Sequence, residues 1–270
     1  MTDLPFAPFA SIPPVAVTAA IAVAAVMALT GVVVVAVGLL YRGGDSLAIG
    51  VLRAVNLAYT RVVHGVRPGN DPLPKTGPAL LVSNHRSGVD PFVISAHINR
   101  VVRFMMAREY YLVPLLRRIF DIVQVIPVNR DGHDFAATKR ALRALQNGEV
   151  VGIFPEGRIR HLSPDTPFTG SSADDNDAVK HGAALLALRA DVPIIPVYVD
   201  GTPPTESVTG AFLSFSKSRV AFGEPLHLDA PRRKPSRADL EDATQQIMDA
   251  ITALKTEREL QKSLARANEG

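Results

Sequence analysis

The 270-residue chain has no cysteine. That excludes disulfide staples, thiolate metal sites and a cysteine nucleophile, and it agrees with a reducing compartment. Net charge is also scarce: 29 lysines and arginines against 26 aspartates and glutamates leave +3, with a sequence pI of about 9.3. Such a small excess does not point to nucleic acid, although it suits a surface resting on anionic lipid. No internal repeat is visible, and no G-x-S-x-G elbow offers a serine nucleophile. The first residues carry Asp3 and no basic residue ahead of the apolar run that follows, which disfavours a cleaved signal peptide.

That run, residues 15–40, reads VAVTAAIAVAAVMALTGVVVVAVGLL and contains no charged side chain. At about 1.5 Å of rise per residue a helix of this length crosses a hydrocarbon core of roughly 30 Å, so the expectation is a retained membrane helix. Arg42, Arg53, Arg61, Arg67 and Lys75 all follow it. The positive-inside rule then puts the rest of the chain on the cytoplasmic side of the cell membrane. Residues 46–66 place Val51, Leu52, Val55, Tyr59 and Val62 at helical spacing. This helix either packs on the following domain or lies amphipathically at the membrane surface, and both readings stay open. RPGNDPLPKTGP (67–78) is a turn-rich linker. The expected organisation is an anchor over 1–44, a helix over 45–66, and a globular domain over 67–270 ending in a helix.

Strand-like and helix-like segments then alternate. Apolar runs of strand length occur at 79–84, 101–107, 121–128, 149–155, 192–199 and 218–228. Between them, 136–148 is a run of helix formers closed by Gly148, and 179–190 is a second helix. In the tail, Ser236 and Asp239 form a box-like cap ahead of an apolar stripe of Leu240, Ile247, Ile251 and Leu254. The fold class is α/β, a largely parallel mixed sheet flanked by helices, with strand-end loops gathered on one side.

Two of those loops carry the chemistry. NHRSGVDP (84–91) sets His85 and Asp90 where the first strand ends. Asp90 ahead of Pro91 has the form of a helix N-cap, and His85 that of a satisfied polar residue. Alternatively the two are a base and its orienter: the imidazole takes a proton from a hydroxyl and the carboxylate fixes its tautomer. With no protein nucleophile in sight, that hydroxyl would belong to the substrate, which points to direct transfer. The second loop, IFPEGRIR (153–160), is either a salt-bridged turn or an anion site in which Gly157 admits a ligand and Arg158 and Arg160 contact it. With Arg130 at the end of VIPVNR, three cations near strand ends make a phosphate-bearing substrate plausible.

Together and in this order, these segments resemble the glycerolipid acyltransferases of the lysophosphatidate acyltransferase type, over residues 65 to 230. Asn84, His85, Ser87 and Asp90 match that family's His-x-x-x-x-Asp block, and QVIPVNR with Arg130 its second. Phe154, Pro155, Glu156 and Gly157 match the third, and VPIIPV, preceded by Lys180, Gly182 and Ala183, the fourth. The resemblance implies a glycerol-3-phosphate acyltransferase-like fold and a membrane-bound O-acyltransferase making phosphatidate from lysophosphatidate. His85 and Asp90 would be catalytic. Asn84, Arg130, Glu156, Gly157, Arg158, Arg160 and Lys180 would bind substrate. The donor would be an acyl-coenzyme A or acyl carrier protein thioester, the acceptor a lysophospholipid, the surroundings membrane lipid; no metal or organic cofactor and no nucleic acid is implied. One position departs from the family: where it commonly has Thr-Arg-Ser after the glycine, this chain has Arg158, Ile159 and Arg160. A different acceptor (another lysophospholipid, a lyso-aminolipid or a glycolipid) is the neighbouring alternative, and a non-catalytic lipid-binding protein or a thioesterase are the more distant ones.

Overall fold

The computed structural model describes residues 31, 46–67, 69, 71–112, 114–129, 134–156, 181–205 and 208–267. The chain divides into two compact units, Met1–Ala58 and Tyr59–Gly270. Helix α1 (Leu47–Val63) runs across the boundary. Among the described residues no helix is long and apolar enough to cross a membrane; the candidate anchor at 15–40 lies, apart from Gly31, outside them.

The second unit is built on a six-stranded sheet among the described residues, in the order β3-β2-β4-β1-β5-β6. The strands are β1 (Ala79–Ser83), β2 (Val102–Ala107), β3 (Ile126–Val128), β4 (Val150–Ile153), β5 (Ile194–Asp200) and β6 (Arg219–Phe222). All neighbouring pairs are parallel except β5 with β6. Every residue of β1 is buried, as a central parallel strand covered on both faces requires. Alternation along β1 divides the core. Leu80 and Val82 join one cluster with α5 (Phe135–Gln146), α6 (Gly182–Ala190) and α8 (Arg237–Ala267). Ala79 and Leu81 join another with Ile94, Phe104 and Phe154. The short helices α2 (Asp90–Ser95), α3 (Arg108–Tyr111), α4 (Pro114–Ile122) and α7 (Val208–Leu213) complete the described elements.

Two helices, α5 and α8, begin or end on their sequence signals. Asp134 caps α5, accepting from the Ala137 N–H at 2.8 Å, and Gly148, just past the other end, takes φ +80° to turn the chain into β4. Ser236 and Asp239 bond reciprocally at the start of α8, whose Ile247 and Ile251 are buried.

Two strand expectations need correction. Residues 121 and 122 end α4 rather than open β3, because Gln124 adopts a left-handed φ of 55° and the Val125 N–H closes on the Phe120 carbonyl. The last strand stops at Phe222; Pro225 has no N–H to donate, and pairing resumes only as a single bridge between Leu226 and Ile194. Helices α3, α4 and α7 were not foreseen at all.

Candidate active site

β1 and β4 are neighbours, yet the next described helix after each packs on a different face of the sheet. From β1 the chain enters α2, whose Ile94 packs with Leu81, and from β4 it reaches α6, whose Leu186 packs with Leu80. In open α/β sheets ligands bind beyond the carboxyl ends of the strands at such a switch. The loop carrying His85 and Asp90 and the turn carrying Phe154, Pro155 and Glu156 follow β1 and β4 at those ends.

The first loop is held from below by Asn84. Its carboxamide donates to the Val199 carbonyl at 2.9 Å and accepts from the Val199 N–H at 2.7 Å. The buried side chain thus imitates a paired strand residue and ties the end of β1 to β5. Asn84, expected among the substrate-binding residues, spends its amide on fastening the scaffold in this structure.

Asp90 is fully buried, and one oxygen collects three donors. Oδ2 accepts from the Arg86 N–H at 2.7 Å and the Ser87 N–H at 2.8 Å, and lies 2.9 Å from His85 Nδ1. Three N–H contacts on a single oxygen offset much of the cost of removing a carboxylate from water. The cap residue of α2 is Val89, with no side-chain cap bond, so the N-cap expected at Asp90 is not formed. The carboxylate turns back into the loop instead. Because it can only accept from Nδ1, the proton of a neutral imidazole belongs there, and Nε2 is left as the acceptor. Nε2 has no hydrogen-bond partner among the described residues, and the His85 side chain is 14% exposed.

The imidazole also has an aromatic floor. Its ring stacks on Phe154 with centroids 4.1 Å apart and planes 19° from parallel. Phe154 in turn stacks on Phe104 at 5.7 Å and 12°. Phe104 stands opposite Gly152 in the β2–β4 register, and a Cβ on Gly152 would come within 2.5 Å of the Phe104 ring. A glycine in β4 thereby makes room for the ring stack beneath His85. Nothing in the sequence pattern assigned Phe104 or Gly152 to the site; strand register alone brings them there.

Arg86 is a further cation of the loop, and its side chain meets the Tyr198 hydroxyl. Burial raises the Tyr198 pKa, the Asp200 charge adds to this, and Arg86 opposes it. Tyr198 belongs to the core on the other face from Phe154, so Arg86 is drawn away from the imidazole. Glu156 is half-buried in the turn after β4. Arg130, Gly157, Arg158, Arg160 and Lys180, the other expected substrate-binding residues, lie outside the described residues. Among the described residues no group of three or more acidic or histidine side chains could hold a metal ion.

Comparison with known proteins adds four findings. The model of the family described as Acyltransferase matches residues 66–200. A 1-acyl-sn-glycerol-3-phosphate acyltransferase of Bacillus subtilis is 24% identical over 184 residues, covering 68% of this chain and 84% of its own length. One of Borreliella burgdorferi is 24% identical over 136 residues, half of each chain. The crystal structure of the 1-acyl-sn-glycerophosphate acyltransferase PlsC from Thermotoga maritima superposes with a TM-score of 0.56 over 85% of this chain and 89% of that one, at 20% identity. This likeness extends to the arrangement of the sheet and its helices.

Proposed function

From the premise that the chain belongs to the Acyltransferase family and is an acyltransferase of the lysophosphatidate type, we propose that it moves a fatty acyl group from a thioester to the free hydroxyl of lysophosphatidate. The product is phosphatidate, a step of phospholipid synthesis. The observation that carries this is the His85–Asp90 pair: an imidazole oriented through Nδ1, with Nε2 left to accept.

An acceptor hydroxyl within hydrogen-bond reach of Nε2 loses its proton to that nitrogen as its oxygen adds to the thioester carbonyl. Asp90 stabilises the imidazolium so formed and fixes its orientation. Collapse of the tetrahedral species breaks the C–S bond, and the proton passes from Nε2 to the departing thiolate sulfur. Arg130, Arg158, Arg160 and Lys180 are proposed to hold the acceptor's phosphate, with Glu156 and Gly157 shaping the turn beside it. Backbone amides of the same turn are candidates to receive the oxyanion. The donor is an acyl-coenzyme A or an acyl carrier protein thioester.

The proposed enzyme is bound to the cell membrane with this domain on the cytoplasmic side. The charge-free run at 15–40 and the basic residues after it support that. A second acceptor class is favoured by one observation, Ile159 between Arg158 and Arg160. The test is acyl transfer by purified protein in mixed micelles, given lysophosphatidate, other lysophospholipids, a lyso-aminolipid and a neutral monoacylglycerol, with products identified by mass. Lysophosphatidate as preferred acceptor, with a KM raised by Arg158→Ala or Arg160→Ala, supports the first reading. Preference for another lysolipid supports the second. Thioester loss without lipid product would mean a thioesterase, and no reaction with either donor would leave a lipid-binding protein.

A further inference from the structure

At the end of α1 and just before β6 three apolar side chains stand almost wholly in water: Val62, Leu213 and Phe215 are 72%, 75% and 79% exposed. They are brought together rather than scattered. The Ser216 N–H donates to the Val63 carbonyl at 3.0 Å, and the Ser218 N–H to the His64 carbonyl at 2.8 Å, so residues 215–218 run along the end of the helix.

The support beneath them is rigid. Tyr59 stacks on Phe212 at 5.8 Å while its hydroxyl donates to the Phe212 carbonyl at 2.9 Å. That hydroxyl lies 2.8 Å from His64 Nε2, and His64 Nδ1 lies 2.8 Å from Ser216 Oγ. Since Tyr59 donates elsewhere, Nε2–H donates to it and Ser216 donates to Nδ1, which leaves the buried imidazole neutral with both nitrogens satisfied. A polar network of this kind holds the exposed side chains in place; it does not explain why they are apolar.

Charge indicates what would cover them. Residues 59–67 and 208–219 contain no aspartate or glutamate, while Arg61, Arg67, Lys217 and Arg219 are all exposed. Apolar side chains on two segments that carry cations and no carboxylate, with Asp200 of β5 opposite Arg219 as a neighbouring acid, suit an interface whose interior is hydrocarbon and whose surface is anionic. Position adds to this. Arg219 pairs with Asp200 at the carboxyl end of β5, so the patch shares the sheet edge of the His85 loop. Phe212 also meets Phe92, two residues beyond Asp90, edge to face at 4.9 Å.

We propose that Val62, Leu213 and Phe215, with the cations around them, dock on an anionic phospholipid bilayer and so hold the edge carrying His85 against the lipid surface. This contact is separate from any anchoring by residues 15–40. It lets a lysolipid and an acyl chain approach His85 from the bilayer plane without either fully entering water.

The chain has no tryptophan, so Phe215→Trp is a single emitter in the full-length protein. Emission is measured in vesicles of phosphatidylcholine with and without phosphatidylglycerol, the acyl chains brominated in half of the samples. Gln146→Trp, exposed at the opposite edge of the sheet, is the reference. The expected result is blue-shifted emission from Phe215→Trp that brominated chains quench, more strongly in the anionic vesicles, while Gln146→Trp emits as in water and is not quenched. Reversing two charges with Lys217→Glu and Arg219→Glu should remove the dependence on phosphatidylglycerol. Water-like, unquenched emission from Phe215→Trp overturns the proposal. A blue shift that bromine does not quench also overturns it, since a protein surface would then cover the patch. So does quenching indifferent to lipid charge. None of these readouts involves acyl transfer, so the proposed reaction stands or falls separately.

Discussion

A single methyl group added to β4 should reach the proposed base through two phenyl rings. Gly152 faces Phe104 across the β2–β4 pair, and an ideal Cβ there lies 2.5 Å from both Phe104 Cδ1 and Cε1 and 2.9 Å from Val102 Cγ1. Ordinary carbon contacts begin near 3.5 Å, so Gly152→Ala must displace the Phe104 ring by about 1 Å. Phe104 cannot shift without disturbing Phe154, on which it stacks, nor Phe154 without disturbing His85, 4.1 Å away. Overpacking of this kind costs about 1–3 kcal/mol, which for a chain of this size lowers Tm by roughly 2–10 °C. A base misplaced by about 1 Å loses on the order of 10²-fold in rate. The assay pairs thermal melts by circular dichroism with steady-state acyl transfer. The expected outcome is a lower Tm, a kcat reduced by roughly 10- to 100-fold, and KM values for both substrates little changed. Phe104→Leu in the same chain removes the ring that the methyl strikes and should restore most of the Tm. A Gly152→Ala protein with reduced Tm but undiminished kcat would refute the idea that the ring stack positions His85. An undiminished Tm would refute the packing argument itself.

Other outcomes follow from the same geometry. Asp90→Asn keeps an oxygen that can face the Arg86 and Ser87 N–H groups but loses control of the imidazole tautomer, so kcat should fall roughly 10³- to 10⁴-fold while the far-ultraviolet dichroism is retained; a fall of less than tenfold would separate Asp90 from catalysis. Asn84→Ala strips the Val199 N–H and carbonyl of their partners, which should cost about 2–4 kcal/mol in urea unfolding. A raised acceptor KM with unchanged stability would instead return Asn84 to the binding site. Burial holds the pKa of His64 below its ordinary value, and burial likewise lowers that of His97 against the opposing effect of its bond to the Val93 carbonyl. The unfolded chain therefore takes up these protons near pH 6.5 and the folded chain only at lower pH. Stability should be full above about pH 6.5 and decline as pH falls below it. Melts of wild type and His64→Gln between pH 8 and 5 should show a shallower decline in the variant, and parallel declines would count against His64 as a source.

Much of this architecture was legible because burial writes itself plainly into central strands. ALLVS, VVGI and IIPVYVD are apolar up to a single polar residue at the end of the first and last, as strands covered on both faces must nearly be. The pairing of His85 with Asp90 was also within reach, since five residues closing one loop leave few geometries. What lay beyond the pattern depended on three-dimensional register. Asp90 looked like a cap because aspartate before proline commonly is one, yet two backbone N–H groups and an imidazole in the preceding loop outcompeted the helix for its carboxylate. Asn84 was singled out by its place in the NHRSGVD block, and only the position of β5 reveals that its amide bonds Val199. Gly152 reads as one more small residue in a strand until Phe104 is seen opposite it. The start of β3 was misjudged because Phe120, buried from α4, and Ile126, buried from β3, belong to one nearly continuous apolar run.

The most direct test of the central claim is the rate of acyl transfer to lysophosphatidate by His85→Ala, measured in mixed micelles beside wild type, with folding of both checked by dichroism. If Nε2 of His85 takes the acceptor proton, kcat should fall roughly 10²- to 10⁴-fold while KM for the lysolipid stays close to that of wild type. A folded His85→Ala protein that transfers the acyl group at the wild-type rate would contradict the assignment of His85 as the base.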